Sequence, residues 1–509
     1  MERVHLMQQT YDALPDALYT VAQVRALDAR IIADGTPGFE LMQRAAAVCW
    51  RALRRQWPAV RSLTVFAGAG NNAGDGYLIA EMALRAGWSV KVLAVGEVAR
   101  LQADAARAYD VAVETGVDIH PYHADVELDG VIVDALLGTG SRGDLRAPYD
   151  AAVRTINESG CPVFSVDIPS GLNADTGYVE SDAVRADLTV TFIALKQGLF
   201  TAEAPAHIGR LVFDSLQGAI SISSETPAAI HRLTVDNLPH LAPRSPTAHK
   251  GHMGHVLVVG GDRGMGGAAL LMAESALRAG SGLVSVATRE EHVPAAQARR
   301  PELMTHGVHS SNQLMAMGRR ADVLIVGPGL GQAAWGRSLL SAAAATDGAQ
   351  VWDADALNLL ADGVVNLPPN AVITPHPGEA ARLLGVSTAD VKRDRFAAVR
   401  DLASHYGACV VLKGAGSLVA STDGRVAVCD RGHPSMAGSG LGDVLAGLIG
   451  ALRAQGMNAY DAACLGVWLH ACAGERIGLS EGRGLAASDM PTFIRQLLEE
   501  HSPCRLAQP

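Results

Sequence analysis

The chain has 509 residues, more than one hydrophobic core usually organises, so two or three domains are expected and two is the starting count. Apolar residues make up 49%, charged ones 18%, and there are 54 glycines, a composition of α/β domains with many tight strand-to-helix turns that excludes extensive disorder. The formal charge of -10 and the lack of a Lys/Arg cluster exclude nucleic acid as a partner, whereas an anionic nucleotide stays compatible because N–H groups at helix starts hold phosphate without a basic surface.

Residues 1–16 lack the basic region and apolar stretch of a secretory signal, and no apolar run reaches the roughly 18 residues of a membrane span, so no membrane partner is expected. The seven cysteines are scattered without a Cys-x-x-Cys pair and read as reduced thiols, which points to the cytoplasm. Strands are expected at 63–67, 89–95, 131–133, 163–166, 188–193 and 211–213, with a helix from Gly76 through Arg85, the βαβ signature of a parallel sheet.

Between the first strand and that helix lies Gly68-Ala69-Gly70-Asn71-Asn72-Ala73-Gly74-Asp75-Gly76, read as a loop whose glycines let the backbone approach a ligand. Asp134 and Asp167 fall at strand ends, where open parallel sheets bind ligands; alone, each is better read as a cap of the turn that follows. Three glycine-rich strand ends on one edge favour a site.

From about Gly218 to Lys250 the periodicity fades into Ser, Thr, Pro and His, as in a linker, and the boundary is placed near residue 225, giving domains 1–225 and 226–509. Strands resume at 256–259, 283–287, 323–326, 351–352, 372–373 and 410–412 without repeating the first half. Asp353 and Asp355 read as a polar strand end, and His376, between two prolines, as a turn residue. Lys413-Gly414-Ala415-Gly416-Ser417 follows the last strand. Gly438-Ser439-Gly440-Leu441-Gly442-Asp443 precedes an apolar helical stretch, 444–452, and reads as an anion hole with a carboxylate able to take a proton from an attacking hydroxyl. The plainer alternative is a glycine-rich turn with Asp443 as partner of the helix dipole.

These motifs together resemble a known family, the bifunctional nicotinamide nucleotide repair enzymes. The first half, through Leu41-Met42-Gln43-Arg44-Ala45-Ala46, the Asn71–Gly76 segment, Leu137-Gly138-Thr139-Gly140 and Val166-Asp167-Ile168-Pro169-Ser170-Gly171, is similar to the epimerase part. The resemblance implies a Rossmann-like domain that binds hydrated NADH or NADPH through Asn71, Asn72, Ala73, Gly74, Asp75, Gly138, Thr139, Gly140, Ser141, Arg142, Gly143, Asp144 and Asp167. It implies a potassium ion on Asn72, Asp134 and Ser170, oxygen ligands that suit a hard cation. Asp167 is the expected acid and base for inversion at the hydrated ring carbon. Ala73 stands where the family usually has glycine.

The second half, with Lys250-Gly251-His252-Met253-Gly254-His255, Gly264-Met265-Gly266-Gly267-Ala268, Gly327-Pro328-Gly329-Leu330-Gly331 and Thr374-Pro375-His376-Pro377-Gly378-Glu379, looks ribokinase-like and resembles the dehydratase part. That implies Ala268, Gly331, His376 and Asp443 at the hydrate, and Lys413, Gly414, Ala415, Gly416, Ser417 and Gly442 at ADP or ATP with Mg2+. Asp443 is expected to activate the hydroxyl for phosphoryl transfer, after which phosphate is eliminated. Leu441 replaces a hydroxyl-bearing residue of the family pattern. A homo-oligomer is expected. The alternatives are a ribokinase-type small-molecule kinase, which would not need the first domain, and a degenerate nucleotide-binding module.

Overall fold

The computed structural model describes residues 13–140, 143–216 and 227–505. The chain splits into two compact units, Met1–His231 and Arg232–Pro509. Residues 217–226, which hold the expected boundary, lie outside the described residues, as do Ser141 and Arg142.

The first unit contains β1 (Ala17–Leu18), α1 (Val21–Ala33), α2 (Gly38–Gln56), β2 (Ser62–Ala67), α3 (Asn71–Arg85), β3 (Ser89–Ala94), α4 (Ala103–Thr115), β4 (Asp118–Pro121), β5 (Val131–Ala135), α5 (Tyr149–Glu158), β6 (Val163–Val166), β7 (Leu188–Phe192) and β8 (Arg210–Asp214). Strands β2 to β8 form a parallel sheet in the order β4-β3-β2-β5-β6-β7-β8. Alternate residues serve opposite faces: Leu63, Val65 and Ala67 pack with α1 to α4, while Phe66 joins Ile132 and the α5 residues Ala152, Val153 and Ile156. Short β1 pairs antiparallel with β9 (Ile230–Arg232), Ala17 opposite His231.

Two expectations change in detail. The segment Asn71–Gly76, read as a loop, is the first turn and a half of α3, which starts after the extended Gly70. The strand expected at 188–193 stops at Phe192, because Ile193 turns to a left-handed φ of +68°. Strand β4 escaped the sequence reading because an exposed edge strand carries no apolar alternation.

The second unit contains β10 (His255–Val259), α6 (Gly266–Arg278), β11 (Leu283–Thr288), α7 (Val293–Arg299), β12 (Met304–Gly307), α8 (Ser311–Gly318), β13 (Val323–Val326), α9 (Ala334–Ala344), β14 (Ala349–Trp352), α10 (Asp355–Ala361), β15 (Val372–Ile373), α11 (Pro377–Leu384), α12 (Thr388–Arg393), α13 (Arg395–Tyr406), β16 (Cys409–Leu412), β17 (Ser417–Ala420), β18 (Val426–Cys429), α14 (Leu441–Ala454), α15 (Ala459–Glu481) and α16 (Met490–His501). Its strand order is β18-β17-β16-β15-β14-β13-β10-β11-β12, parallel except where β16, β17 and β18 meander. Helices α6, α14, α15 and α16 bury one apolar face of this sheet. Among the described residues no helix is long and apolar enough to cross a membrane.

Candidate active sites

In both sheets the chain reverses its direction of winding at one point, between β2 and β5 in the first unit and between β10 and β13 in the second. The loops leaving such neighbouring strands part and open a crevice at the C-terminal edge. The expected site residues gather along these two edges.

In the first unit a cleft of about 560 Å3 is lined by Asn71, Asn72, Asp75, Gly138, Thr139, Gly140 and Asp167, with Asp28, Tyr149 and Lys196. Because Asn71–Gly76 is helical, its residues divide between two faces. Asn71, Asn72 and Asp75 line the cleft, whereas Ala73 is fully buried and Gly74 packs against Met42 and Ala105. Ala73 is not among the residues with positive φ, so the alanine at this position fits the helix without strain. Gly143 and Asp144 are exposed and stand outside the cleft lining.

Asp167 sits at φ +65°, an uncommon backbone angle for a residue with a side chain and one that sites often hold under strain. Its Oδ1 accepts from Lys196 Nζ at 2.5 Å, Thr191 Oγ1 at 3.2 Å and the Phe192 N–H at 3.3 Å. Lys196 is 1% exposed and also donates to Thr191 Oγ1 and the Phe192 carbonyl, both at 2.9 Å. The sequence reading missed it; the available signal was a single charge closing the apolar run Phe192-Ile193-Ala194-Leu195. Burial first, then the charges of Asp167 and Asp28, push the Asp75 carboxyl well above the usual range. Burial followed by Asp167 raises Asp28 too, against the opposing charge of Lys196.

Asp134 is fully buried, and its carboxylate accepts from Ser165 Oγ at 2.9 Å, the Ser170 N–H at 2.9 Å, Ser170 Oγ at 2.6 Å and the Leu136 N–H at 3.3 Å. Burial raises its pKa and these hydrogen bonds pull it back. Ser170 Oγ lies 3.2 Å from the Leu137 carbonyl, which also accepts from Asn72 Nδ2 at 3.2 Å. Asn72, Ser170 and Asp134 therefore meet around Leu137, a neutral set of oxygens with one carboxylate behind it.

In the second unit, Gly261 and Asp262 donate their N–H groups to the Pro328 and Gly329 carbonyls and tie β10 and β13 at the switch point. Ala268 and Gly331 lie there; a Cβ on Gly329 would approach Ala268 to 3.4 Å, and one on Gly331 would reach Asp262. Asp355 accepts from the Gly331 N–H at 2.9 Å and so shapes this loop.

The next strand ends bring the remaining groups together. Lys413 Nζ donates to Asp353 Oδ1 at 2.6 Å and lies 3.9 Å from Glu379 Oε2. A Cβ on Gly442 would sit 3.3 Å from Lys413 Nζ and 3.4 Å from Asp353 Oδ2, so both charges lie over the first turn of α14, where Asp443 stands. Burial first and then the Asp353 charge push the Asp443 carboxyl up to about 7, with Lys413 opposing. For Lys413 burial works against the ammonium, but Asp353 and Glu379 outweigh it and the pKa is raised. His376 caps α11: its Nδ1 accepts from the Gly378 and Glu379 N–H groups while Glu379 Oε2 accepts from its own N–H at 2.8 Å. It is half exposed and joins Lys413 through Glu379.

Gly414, Ala415 and Gly416 form the turn between β16 and β17, with Ser417 the first residue of β17. Arg395, 4% exposed, donates to the carbonyls of Leu412, Lys413 and Gly416 and holds this turn from beneath. Burial lowers its pKa to about 10. Nothing in the local sequence marked Arg395. Asp353 carried the same signal as Asp134 and Asp167, a carboxylate ending a strand, and was read only as a polar strand end; the structure sets it on Lys413. Leu441 is buried in the core, and its carbonyl meets His470 Nε2 at 3.0 Å. Among the described residues no group of three or more His, Cys, Asp or Glu side chains could hold a metal ion.

Residues 38–198 match the family described as YjeF-related protein N-terminus, and residues 256–496 the family described as NAD(P)H-hydrate dehydratase. The bifunctional NAD(P)H-hydrate repair enzyme Nnr of Coxiella burnetii is 43% identical over 484 residues, 94% of this chain and 99% of its own. That of Escherichia coli is 40% identical over 499 residues, 97% of this chain and 96% of its own. A solved ribokinase-like superfamily protein of Enterococcus faecalis shares 26% identity at a TM-score of 0.51, covering 55% of this chain and 99% of its own.

Proposed function

The chain belongs to the bifunctional NAD(P)H-hydrate repair enzymes, an epimerase joined to a dehydratase, and from that premise we propose which groups carry each reaction. The observation that carries the assignment is that each unit gathers one lysine and several carboxylates at the switch-point edge of its sheet.

The first unit interconverts the R and S hydrates. The ring nitrogen expels hydroxide from the hydrated carbon, leaving an iminium that water re-enters from the other face. Asp167 is the base for the returning water, held by Lys196, Thr191 and the Phe192 N–H through Oδ1, which leaves Oδ2 for the substrate. Asp75, pushed up by burial and by Asp167, holds the proton that leaves with the hydroxyl. Asn71 and the turn at Gly138, Thr139 and Gly140 bind the remainder of the nucleotide, with the segment through Ser141, Arg142, Gly143 and Asp144 completing it. Potassium fits the oxygens of Asn72, Ser170 and Leu137 with Asp134 behind them, and bound there it supplies fixed positive charge at the cleft floor.

The second unit dehydrates the S hydrate at the expense of ADP. Asp443 takes the proton of the ring hydroxyl, whose oxygen attacks the terminal phosphorus of ADP as the bond to AMP breaks. Phosphate then leaves the ring carbon with its C–O bond and the neighbouring carbon gives up a proton, so NAD(P)H, AMP and phosphate result. Lys413 and the turn at Gly414, Ala415, Gly416 and Ser417, with Gly442 at the start of α14, face the nucleotide phosphates; Ala268, Gly331 and His376 face the hydrate. Mg2+ would be held mainly by the nucleotide phosphates and water and would offset their charge, since Asp353 and Glu379 are engaged by Lys413. The seven free cysteines support a cytoplasmic setting, and a homo-oligomer is the proposed assembly.

The test is recovery of reduced-nicotinamide absorbance from mixed NADH-hydrate epimers with Mg2+, K+ and either ADP or ATP. Full recovery is expected, and the effective nucleotide names the phosphoryl donor. Recovery that stops at one epimer would refute the epimerase assignment; none at all would favour the kinase or the binding module.

A further inference from the structure

We propose that Asp353 is a positioning residue of the dehydratase reaction: it pins Lys413 over the first turn of α14, beside Asp443, so that the ammonium is already in place when the nucleotide phosphate arrives. The inference rests on the reading of Asp443 as the base.

The backbone is built to hold this carboxylate. The Asp353 N–H donates to the Val326 carbonyl at 3.1 Å, and its own carbonyl accepts from the Ala356 N–H at 3.2 Å. That carbonyl occupies the space a Cβ would take at Gly327, so only glycine fits the neighbouring strand end. Ala354 follows at φ +50°, an angle that costs an alanine about 1 kcal/mol or more and persists only where the surroundings impose it. The side chain is 2% exposed, with one oxygen on Lys413 and the other over Gly442.

A lysine has a flexible four-carbon stem and must be ordered before it can stabilise charge at a fixed point. Fixing it in the free enzyme removes that ordering from the reaction step, the logic of preorganised electrostatic sites. Asp353 does this from β14 and Glu379 from α11, whose helix His376 caps. The charges that act on Asp443 are then Asp353 and Lys413 from the strand ends; Glu379 of α11 faces Lys413 at 3.9 Å with the capping His376 beside it, and His470 bonds the Leu441 carbonyl two residues before Asp443. Asp353 and Lys413 act on Asp443 in opposite senses, the carboxylate favouring its neutral form and the ammonium its anion.

The pH limb reads the action of the two charges on Asp443, while the KM for ADP and its recovery by a second carboxylate separate positioning of Lys413 from a purely structural role. The experiment compares the pH dependence of kcat/KM for the S hydrate at saturating ADP, and the KM for ADP, in full-length wild type, Asp353→Asn and Lys413→Gln. In Asp353→Asn the acid-side limb should move down by about one pH unit and in Lys413→Gln up by a similar amount. The KM for ADP should rise about tenfold or more in both, and Asp353→Glu should recover part of it. An unmoved limb and unchanged KM in Asp353→Asn would overturn the proposal. If that variant fails to fold, an unchanged KM for ADP in Lys413→Gln overturns it instead. Asp443→Asn is the control: retained turnover there would refute the base assignment, leaving the ADP arm to judge Asp353 alone.

Discussion

Both units carry a lysine among carboxylates at the edge of a parallel sheet, but they pair it differently. In the first, Lys196 bonds Asp167, the proposed catalytic group itself. In the second, Lys413 bonds Asp353, and among the described residues no cation pairs directly with Asp443, which is pushed up to about 7. The difference follows from what each proposed reaction asks. Epimerisation needs a proton donor and an acceptor at once, which the cleft offers as Asp75 and the Asp167–Lys196 pair. Phosphoryl transfer needs one base near neutrality and a cation free to face phosphate.

The comparison breaks most sharply if the two carboxylates can be removed independently. Asp443→Asn should lower dehydration of the S hydrate by about 10^3-fold while R/S interconversion, followed by chromatography, stays at the wild-type rate. Asp167→Asn should do the reverse, and a variant that damages both reactions equally would undo the division of labour.

Next in size is the loss of Lys196. Lys196→Met leaves Asp167 partly buried beside an apolar chain, and about 3 kcal/mol of stability should go with the pair. A thermal unfolding transition unchanged from wild type would show that the pair contributes nothing to the fold.

The pH dependence sharpens the contrast. Asp443 accepts a proton only as the carboxylate, so dehydration should fall as pH drops through about 7 and level off above it. Asp75 donates only when protonated, and burial with the Asp167 charge favours that form, so epimerisation should fall on the alkaline side of its raised pKa instead. Stopped-flow rates on the separated epimers check both limbs.

The smallest effect concerns Ala73. Restoring the glycine of the family pattern should cost about 1 kcal/mol of stability, since the residue lies in the first turns of α3 with no positive φ to relieve, and should leave epimerisation unchanged. A gain in epimerase rate would mean that the helix start must flex.

Much of this was legible beforehand. Asp134 and Asp167 were readable because parallel sheets bind ligands at the edge where their strands end, and Asp443 because it follows a glycine run at the start of an apolar helix. Lys196 and Arg395 were not, and Asp353, though it ends a strand as Asp167 does, showed no more than that: their meaning lies in partners far along the chain, Asp353 meeting Lys413 across 60 residues and Arg395 reaching the Gly416 carbonyl across 21. Local pattern carries no information about such pairings.

The sequence by itself determined two dissimilar α/β halves, the membership carried by their combined motifs, and the central strands of each sheet, since apolar runs bounded by glycine and aspartate are local properties; β4, β12, β17 and β18 at the sheet margins were not among them. Tertiary structure alone decided that Asn71–Gly76 is helix, that Leu441 turns into the core, and which carboxylate each lysine holds. Those outcomes depend on packing and on the distance between charges, which exist only once the strand ends stand side by side.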